Sequence, residues 1–164
     1  MSSLPPTSLA STLLQAARVD AAVFAGRSLA DGLLAQIEPR ARPAVQDLVY
    51  GSLRAYGRGD FVLARLLARP LAQDEVRALL LVTLYRLESQ SHAAHTVVDQ
   101  AVAAAGEIAG GAFRALVNAV LRNFLRRQEE FRAALAGDPL GAAQHPEWWL
   151  RRLQNSWPQN WPGI

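Results

Sequence analysis

The 164-residue sequence contains no cysteine. This absence excludes a disulfide scaffold, a cysteine-ligated zinc site and a catalytic thiol within these residues. Lysine is absent as well, so all 17 basic side chains are arginines. Arginine suits phosphate contacts because its planar guanidinium donates two parallel hydrogen bonds. Wherever this chain is basic, it therefore presents the side chain that best matches a phosphate group.

Long apolar runs are also missing. The longest, Ala78–Tyr85, is far shorter than the roughly 20 residues that a membrane-spanning helix needs. The first residues, from Met1 to Pro6, contain no basic segment followed by an apolar run, so we predict no secretory signal. Together with the absence of cysteine, these features predict a cytoplasmic protein without a membrane partner.

Common catalytic motifs are absent too. The sequence contains no P-loop, no glycine-rich dinucleotide loop on a strand, no HExxH zinc motif and no GxSxG elbow. His92 and His95 lie three residues apart, but His145 is remote, which disfavours a metal site. The simpler interpretation is that His92 and His95 help form a turn and cap the next helix. We predict no catalytic residue, no metal and no cofactor within this chain.

The pattern that the sequence does contain is helical. Hydrophobic residues make up 51% of the chain, and the dominant ones, alanine and leucine, favour helix over strand. Apolar positions recur at helical spacing between Gly and Pro breaks. The segment 74–89 is apolar nearly all round, which predicts a central helix. The predicted all-α fold has helices over residues 8–25, 29–37, 43–56, 60–69, 74–89, 97–108, 112–135 and 145–153.

Positive charge is concentrated in two blocks. Residues 40–72 carry six arginines and two acids, and residues 111–135 carry five arginines and two acids. The intervening residues 73–110 carry two arginines and five acids. If the fold brings the two basic blocks together, they form a surface able to displace counterions from nucleic acid.

Within the second block, polar side chains step by four along one face of the predicted helix. They are Arg114, Asn118, Arg122 and Arg126. A nucleic-acid contact and an ordinary solvated helix face are both compatible with this stripe. All four tryptophans lie within the last 17 residues, and exposed aromatic side chains at a chain end are expected to pack on something.

Three segments resemble the NusB-like family of helical RNA-binding domains. LVYGSLR at residues 48–54 is similar to the family's third-helix signature. VNAVLRNFL at 117–125 is similar to its N-G-V-L-R helix, with Ala119 where glycine is common, and AAHTVVD at 93–99 to the turn and helix between them. The three segments follow the family's order and spacing.

A fourth segment resembles one branch of that family. HPEWW at residues 145–149, followed by RRL, is similar to the H-P-x-W segment of the RsmB-type 16S rRNA cytosine-C5 methyltransferases. In those enzymes the segment leads from the NusB-like domain towards the catalytic domain. The resemblance implies two antiparallel three-helix subbundles with a C-terminal linker helix. It also implies a NusB-like RNA-binding domain over residues 1–136 and a linker over 137–164.

For the full-length protein, the resemblance implies methyl transfer from S-adenosylmethionine to C5 of a cytosine in 16S rRNA. The cofactor and the catalytic cysteine would belong to a domain that is not in this chain. The implied partners are 16S rRNA and that catalytic domain. The tryptophans would provide the interdomain docking element, formed by Trp148, Trp149, Trp157 and Trp161.

The RNA-binding residues differ from those of NusB factors, which grip RNA with an arginine-rich N-terminal arm. Here no basic residue precedes Arg18, so we expect the RNA contact to shift to the two basic blocks. The candidate RNA-binding residues are Arg54, Arg58, Arg114, Arg122, Arg126 and Arg127.

Two other functions stay open on the sequence. The chain could be a free-standing NusB-type antitermination factor that binds RNA and a small ribosomal protein, although the H-P-x-W segment disfavours this. It could also be a purely structural domain that packs on a catalytic neighbour through its tryptophans and never touches RNA.

Overall fold

The computed structural model describes residues 3–89, 93–138, 147–156 and 158–159, and over these residues it is all-helical, without a strand. This confirms the predicted fold class. The α-helices are α1 (Leu9–Phe24), α2 (Arg42–Arg54), α3 (Tyr56–Leu66), α4 (Asp74–Ser89), α5 (Ala94–Ala105), α6 (Arg114–Arg126), α7 (Gln128–Gly137) and α8 (Glu147–Ser156).

Helix α4 is the central helix, as its sequence predicted. It packs against α1, α2, α3, α5 and α6. Leu79, Leu80 and Val82 are each 0% exposed, although consecutive residues point to different sides of a helix. Around α4, helices α2 and α3 pack on each other, while α5 packs on both α1 and α6. One continuous core therefore joins α1 through α7.

Glycines allow α2 and α3 to approach this central helix closely. A Cβ atom at Gly51 would overlap the Tyr85 ring, and one at Gly59 would lie 2.8 Å from Cδ2 of Leu81. The predicted helices 43–56 and 60–69 left a break at residues 57–59, where the chain has Gly57 and Gly59, but both glycines lie inside α3. The close helix contact explains why a residue with poor helix propensity occupies position 59.

The predicted second helix, 29–37, is wrong. Only Leu29–Asp31 forms a short 3₁₀ turn, capped by Ser28 and Asp31, and Gly32 ends it in the left-handed conformation at φ 80°. Leu33 and Ile37 are nevertheless buried, at 7% exposure each. Leu33 and Ile37 are four residues apart, which is a helical spacing. The segment that carries them is irregular, however, so their spacing reflects burial and not a helix.

The predicted helix 112–135 is two helices rather than one. Between α6 and α7, Arg127 leaves the helical conformation, with φ −112° and ψ 17°. Phe124 of α6 and Phe131 of α7 nevertheless stack, with ring centroids 6.0 Å apart. Because the apolar face continues across the break, hydrophobic periodicity alone does not reveal it.

Asp20 is a fully buried carboxyl group where α1 packs on α2. Its Oδ2 lies 2.5 Å from the Ser52 hydroxyl, which is also 3.1 Å from the Val49 carbonyl oxygen, and its Oδ1 has no hydrogen-bond partner in the described part of the chain. One hydroxyl proton cannot serve two acceptors fully. Burial raises the pKa of Asp20 to about 7, and the Ser52 hydrogen bond opposes this rise.

We expect Asp20 to make folding stability fall as pH rises. Its pKa increases from 3.8 to about 7 on folding, so the folded protein holds the proton more tightly than the unfolded chain. The stabilising contribution is complete below about pH 4 and is lost as pH rises through 7. At about 1.4 kcal/mol per pKa unit, the change is on the order of 2–4 kcal/mol.

Asp20→Asn should remove this pH dependence. Urea unfolding at pH 5 and pH 8 measures it as the difference between the two free energies of unfolding. Asp47→Asn, at an exposed position of α2, is the matched control and should retain the wild-type pH dependence. An unchanged pH dependence in Asp20→Asn would show that Asp20 is not the group responsible.

Candidate nucleic-acid interface

The six candidate arginines fall into two classes. Arg54, Arg114 and Arg126 are exposed and form no ion pair or hydrogen bond with another side chain that the structure describes. The other three, Arg58, Arg122 and Arg127, are partly buried, and each is bound to an acidic side chain. The structure therefore separates arginines that are free to meet a ligand from arginines that already have an internal partner.

Arg58 is held by Glu88 of α4. Its Nε atom lies 2.6 Å from Glu88 Oε2, and the two side chains are 34% and 25% exposed. Burial raises the pKa of Glu88, while Arg58 and, more weakly, Arg132 of α7 lower it. The two basic blocks thus approach each other in space, but they do so around a carboxylate that neutralises part of their charge.

Arg127 fixes the junction between α6 and α7. Its Nε and Nη2 atoms donate to the two carboxylate oxygens of Glu130, at 3.0 and 2.7 Å. The guanidinium also lies 4.8 Å from the centre of the Phe131 ring, which is a favourable cation–π distance. These contacts explain Arg127 by the local fold, without a ligand.

Arg122 joins two helices through three side chains. Its Nε donates to Asn118 Oδ1 at 2.9 Å, Nη2 lies 3.3 Å from Asp99 Oδ1, and Nη1 lies 3.4 Å from His95 Nδ1. The contact with Asn118 places two members of the predicted polar stripe one turn apart on the same face. His95 and Asp99 both belong to α5, and neither was predicted to take part in this site.

His95 therefore differs from its predicted role. It lies in the first turn of α5, which has no side-chain cap, so His95 does not cap the helix. Its exposed ring faces Arg122 instead. Sequence reasoning missed this pairing because 27 positions separate the two residues.

An open cleft of about 400 Å³ lies between the start of α5 and the end of α6. Arg126 follows Arg122 by one helical turn, so both side chains reach the cleft. Arg114 lies eight positions before Arg122, or about 12 Å along the helix axis, and does not line it. The cleft is lined by Ala94, His95, Arg122, Leu125, Arg126 and Gln128.

A further arginine, Arg77 of α4, is bound inside the bundle. It donates through Nη2 to Tyr56 at 2.8 Å and to Asp60 at 2.6 Å, and its side chain is 24% exposed. The guanidinium also faces the ring of Phe24 at 5.5 Å. Arg77 therefore ties α4 to α3 and α1 and is not available to a ligand.

The tryptophans add little to this picture. Trp148 and Trp149 belong to α8, whereas Trp157 and Trp161 lie outside the described residues, as do His92 and His145. The docking role predicted for the tryptophans stays a prediction.

Among the residues that the structure does describe, no group of His and acidic side chains is arranged to hold a metal ion. No described helix is long and apolar enough to cross a bilayer.

Comparison with known proteins places this fold in a family. Residues 10–126 match the NusB family. The chain is 38% identical over 157 residues to ribosomal RNA small subunit methyltransferase B of Pseudomonas putida, which covers 92% of this chain and 36% of that protein. It is 37% identical over 144 residues to the protein of the same name from Vibrio cholerae, covering 85% of this chain and 33% of that protein.

The protein of this name from Escherichia coli is 31% identical over 156 residues, which is 92% of this chain and 36% of that protein. The chain thus spans about a third of the length of the relatives that it matches.

Arg58→Ala is expected to destabilise the fold at pH 7 by about 1–2 kcal/mol, because a partly buried carboxylate loses its charged hydrogen-bonding partner. The loss should shrink towards pH 4, where Glu88 is increasingly protonated with or without Arg58. Urea unfolding at the two pH values measures this difference.

Arg54→Ala is the matched control, since Arg54 is exposed and lies four residues earlier in the chain. It should change stability by less than about 0.5 kcal/mol at either pH. Equal losses in the two variants would contradict the structural role of Arg58.

Proposed function

This chain belongs to the NusB family, and we propose that it is the RNA-binding domain of a methyltransferase that modifies cytosine C5 in 16S rRNA. The chain holds the rRNA, and a catalytic domain outside these residues transfers the methyl group from S-adenosylmethionine. The site of action is the cytoplasm, where ribosomal RNA is modified. The names of the similar methyltransferases support this proposal over a free-standing NusB-type transcription factor.

The observation that carries the RNA-binding role is the set of unpaired, exposed arginines. A guanidinium without an internal partner can meet a phosphate without first losing an ion pair. Arg54, Arg114 and Arg126 meet this condition within the described residues, and we assign them the main phosphate contacts. Arg122 contributes by exchanging its long contact with Asp99, whereas Arg58 and Arg127 serve mainly the fold.

The same proposal assigns a separate role to each of two parts of the chain. Residues 1–136 form the RNA-binding domain, and residues 137–164 form the linker towards the catalytic domain. Helix α8 belongs to this linker. Trp148, Trp149, Trp157 and Trp161 would then dock against the catalytic domain rather than against RNA.

The joint variant Arg54→Ala/Arg114→Ala should weaken binding to a 16S rRNA transcript. It should also flatten the dependence of log affinity on log salt by about 0.7–0.9 per lost phosphate contact. Filter binding between 50 and 200 mM salt measures both quantities. The wild-type chain must bind the transcript for the proposal to hold, since a purely structural domain would not bind it.

The joint variant Arg18→Ala/Arg27→Ala is the control. It removes the same charge from outside the two basic blocks, at exposed positions, and should leave the salt dependence nearly unchanged. If both joint variants weaken binding equally, net charge alone governs affinity and the assignment to individual arginines is wrong.

A further inference from the structure

The cleft between α5 and α6 concentrates positive charge around an open space of about 400 Å³. Arg126 is exposed and has no hydrogen-bond or ion-pair partner in the described part of the chain. Arg122 is held in place through Nε by Asn118 at 2.9 Å, which orients its two terminal nitrogens towards α5. Asp99, the acid that faces this group, is 68% exposed and only loosely engaged, at 3.3 Å.

The start of α5 adds to the positive potential of the cleft. The helix begins after Ala93, which is left-handed at φ 61°, and no side chain in the described part of the chain caps it. Amides in the first turn of a helix have no acceptor within the helix. Two residues of this turn, Ala94 and His95, line the cleft. The positive end of the helix dipole therefore favours an anion beside the two guanidiniums.

The cleft is larger and more varied than an anion alone requires. Ala94 and Leu125 contribute apolar wall, and Gln128 contributes an amide that can both donate and accept hydrogen bonds. A volume of about 400 Å³ lies within the range of small-molecule sites. A ligand that combines an anionic group, an apolar surface and hydrogen-bonding edges matches all three features of the wall.

We propose that this cleft binds one unpaired nucleotide of RNA. Arg126 and Arg122 contact its phosphate, and Leu125 and Gln128 lie beside its sugar and base. A base within a duplex is paired and stacked, so only an unpaired nucleotide can enter. Asn118 acts as a positioning residue for Arg122, and Asp99 competes with the phosphate for the same guanidinium. The inference rests on the proposed RNA-binding function and specifies the form of RNA that this site takes.

Titration of the ¹⁵N-labelled chain with cytidine 5′-monophosphate tests the site directly. The amide signals of residues 94–99 and 125–128 should shift and saturate in the millimolar range. Inorganic phosphate should shift the same signals with weaker affinity, and cytidine without a phosphate should shift them little. No saturable shift in these segments would overturn the proposal. Equal affinity for phosphate and the nucleotide would reduce the site to an anion site and overturn it as well.

Binding of unpaired and paired RNA tests the cleft proposal separately from the proposed RNA-binding function. Arg126→Ala should weaken binding of an unstructured 10-nucleotide RNA about tenfold, as expected for loss of one charge-assisted contact, and binding of a blunt-ended RNA duplex by less than about twofold. Arg27→Ala, the exposed control outside the cleft, should affect neither. Amide spectra of the variants verify that the fold is intact.

Failure of the cleft proposal and failure of the proposed function give different results in these experiments. If Arg54→Ala/Arg114→Ala weakens RNA binding while Arg126→Ala has no effect on the unpaired RNA, the cleft proposal fails and the proposed function stands. If the wild-type chain does not bind the 16S rRNA transcript, the proposed function fails. The nucleotide titration then still decides whether the cleft accepts a nucleotide.

Discussion

The burial of the middle of α4, residues 78–84, is the constraint on which the rest of the structure depends. Because the side chains of these seven residues are enclosed on every side, each helix packed around them must turn an apolar face inwards. Gly51 and Gly59 bring α2 and α3 close enough to do so. The polar faces of the surrounding helices are consequently directed outwards, and where α5 meets α6 two such faces border the same cleft.

The same packing decides how the basic charge is used. The acidic segment 73–110 separates the two basic blocks in sequence, and the fold places two of its five acids against arginines of those blocks. Glu88 pairs with Arg58, and Asp99 faces Arg122. The Asp99–Arg122 pair is exposed and contributes little to stability, whereas the Glu88–Arg58 pair is partly buried. Their main consequence is to divide the arginines into occupied and free groups, which net charge does not reveal.

Much of the fold was predictable, because apolar spacing reports burial directly. The helical class and the central position of α4 depend on how apolar side chains recur along the chain, whereas the family resemblance rests on short matching segments such as VNAVLRNFL at 117–125. The failures share a cause: spacing reports which side chains are buried, not the backbone conformation that buries them. Ile37 is buried from a turn, and Phe131 continues the apolar face of α6 after Arg127 has left the helix.

The candidate site was likewise predictable only in part. The sequence by itself determined that the chain is helical, that it has neither thiol nor lysine chemistry, and that Arg122 and Arg126 share a helix face, because a spacing of four fixes this locally. Only the tertiary structure decided which arginines are free and that His95 faces Arg122. Such contacts join helices distant in the chain, and their separation is set by how both helices pack on the buried core.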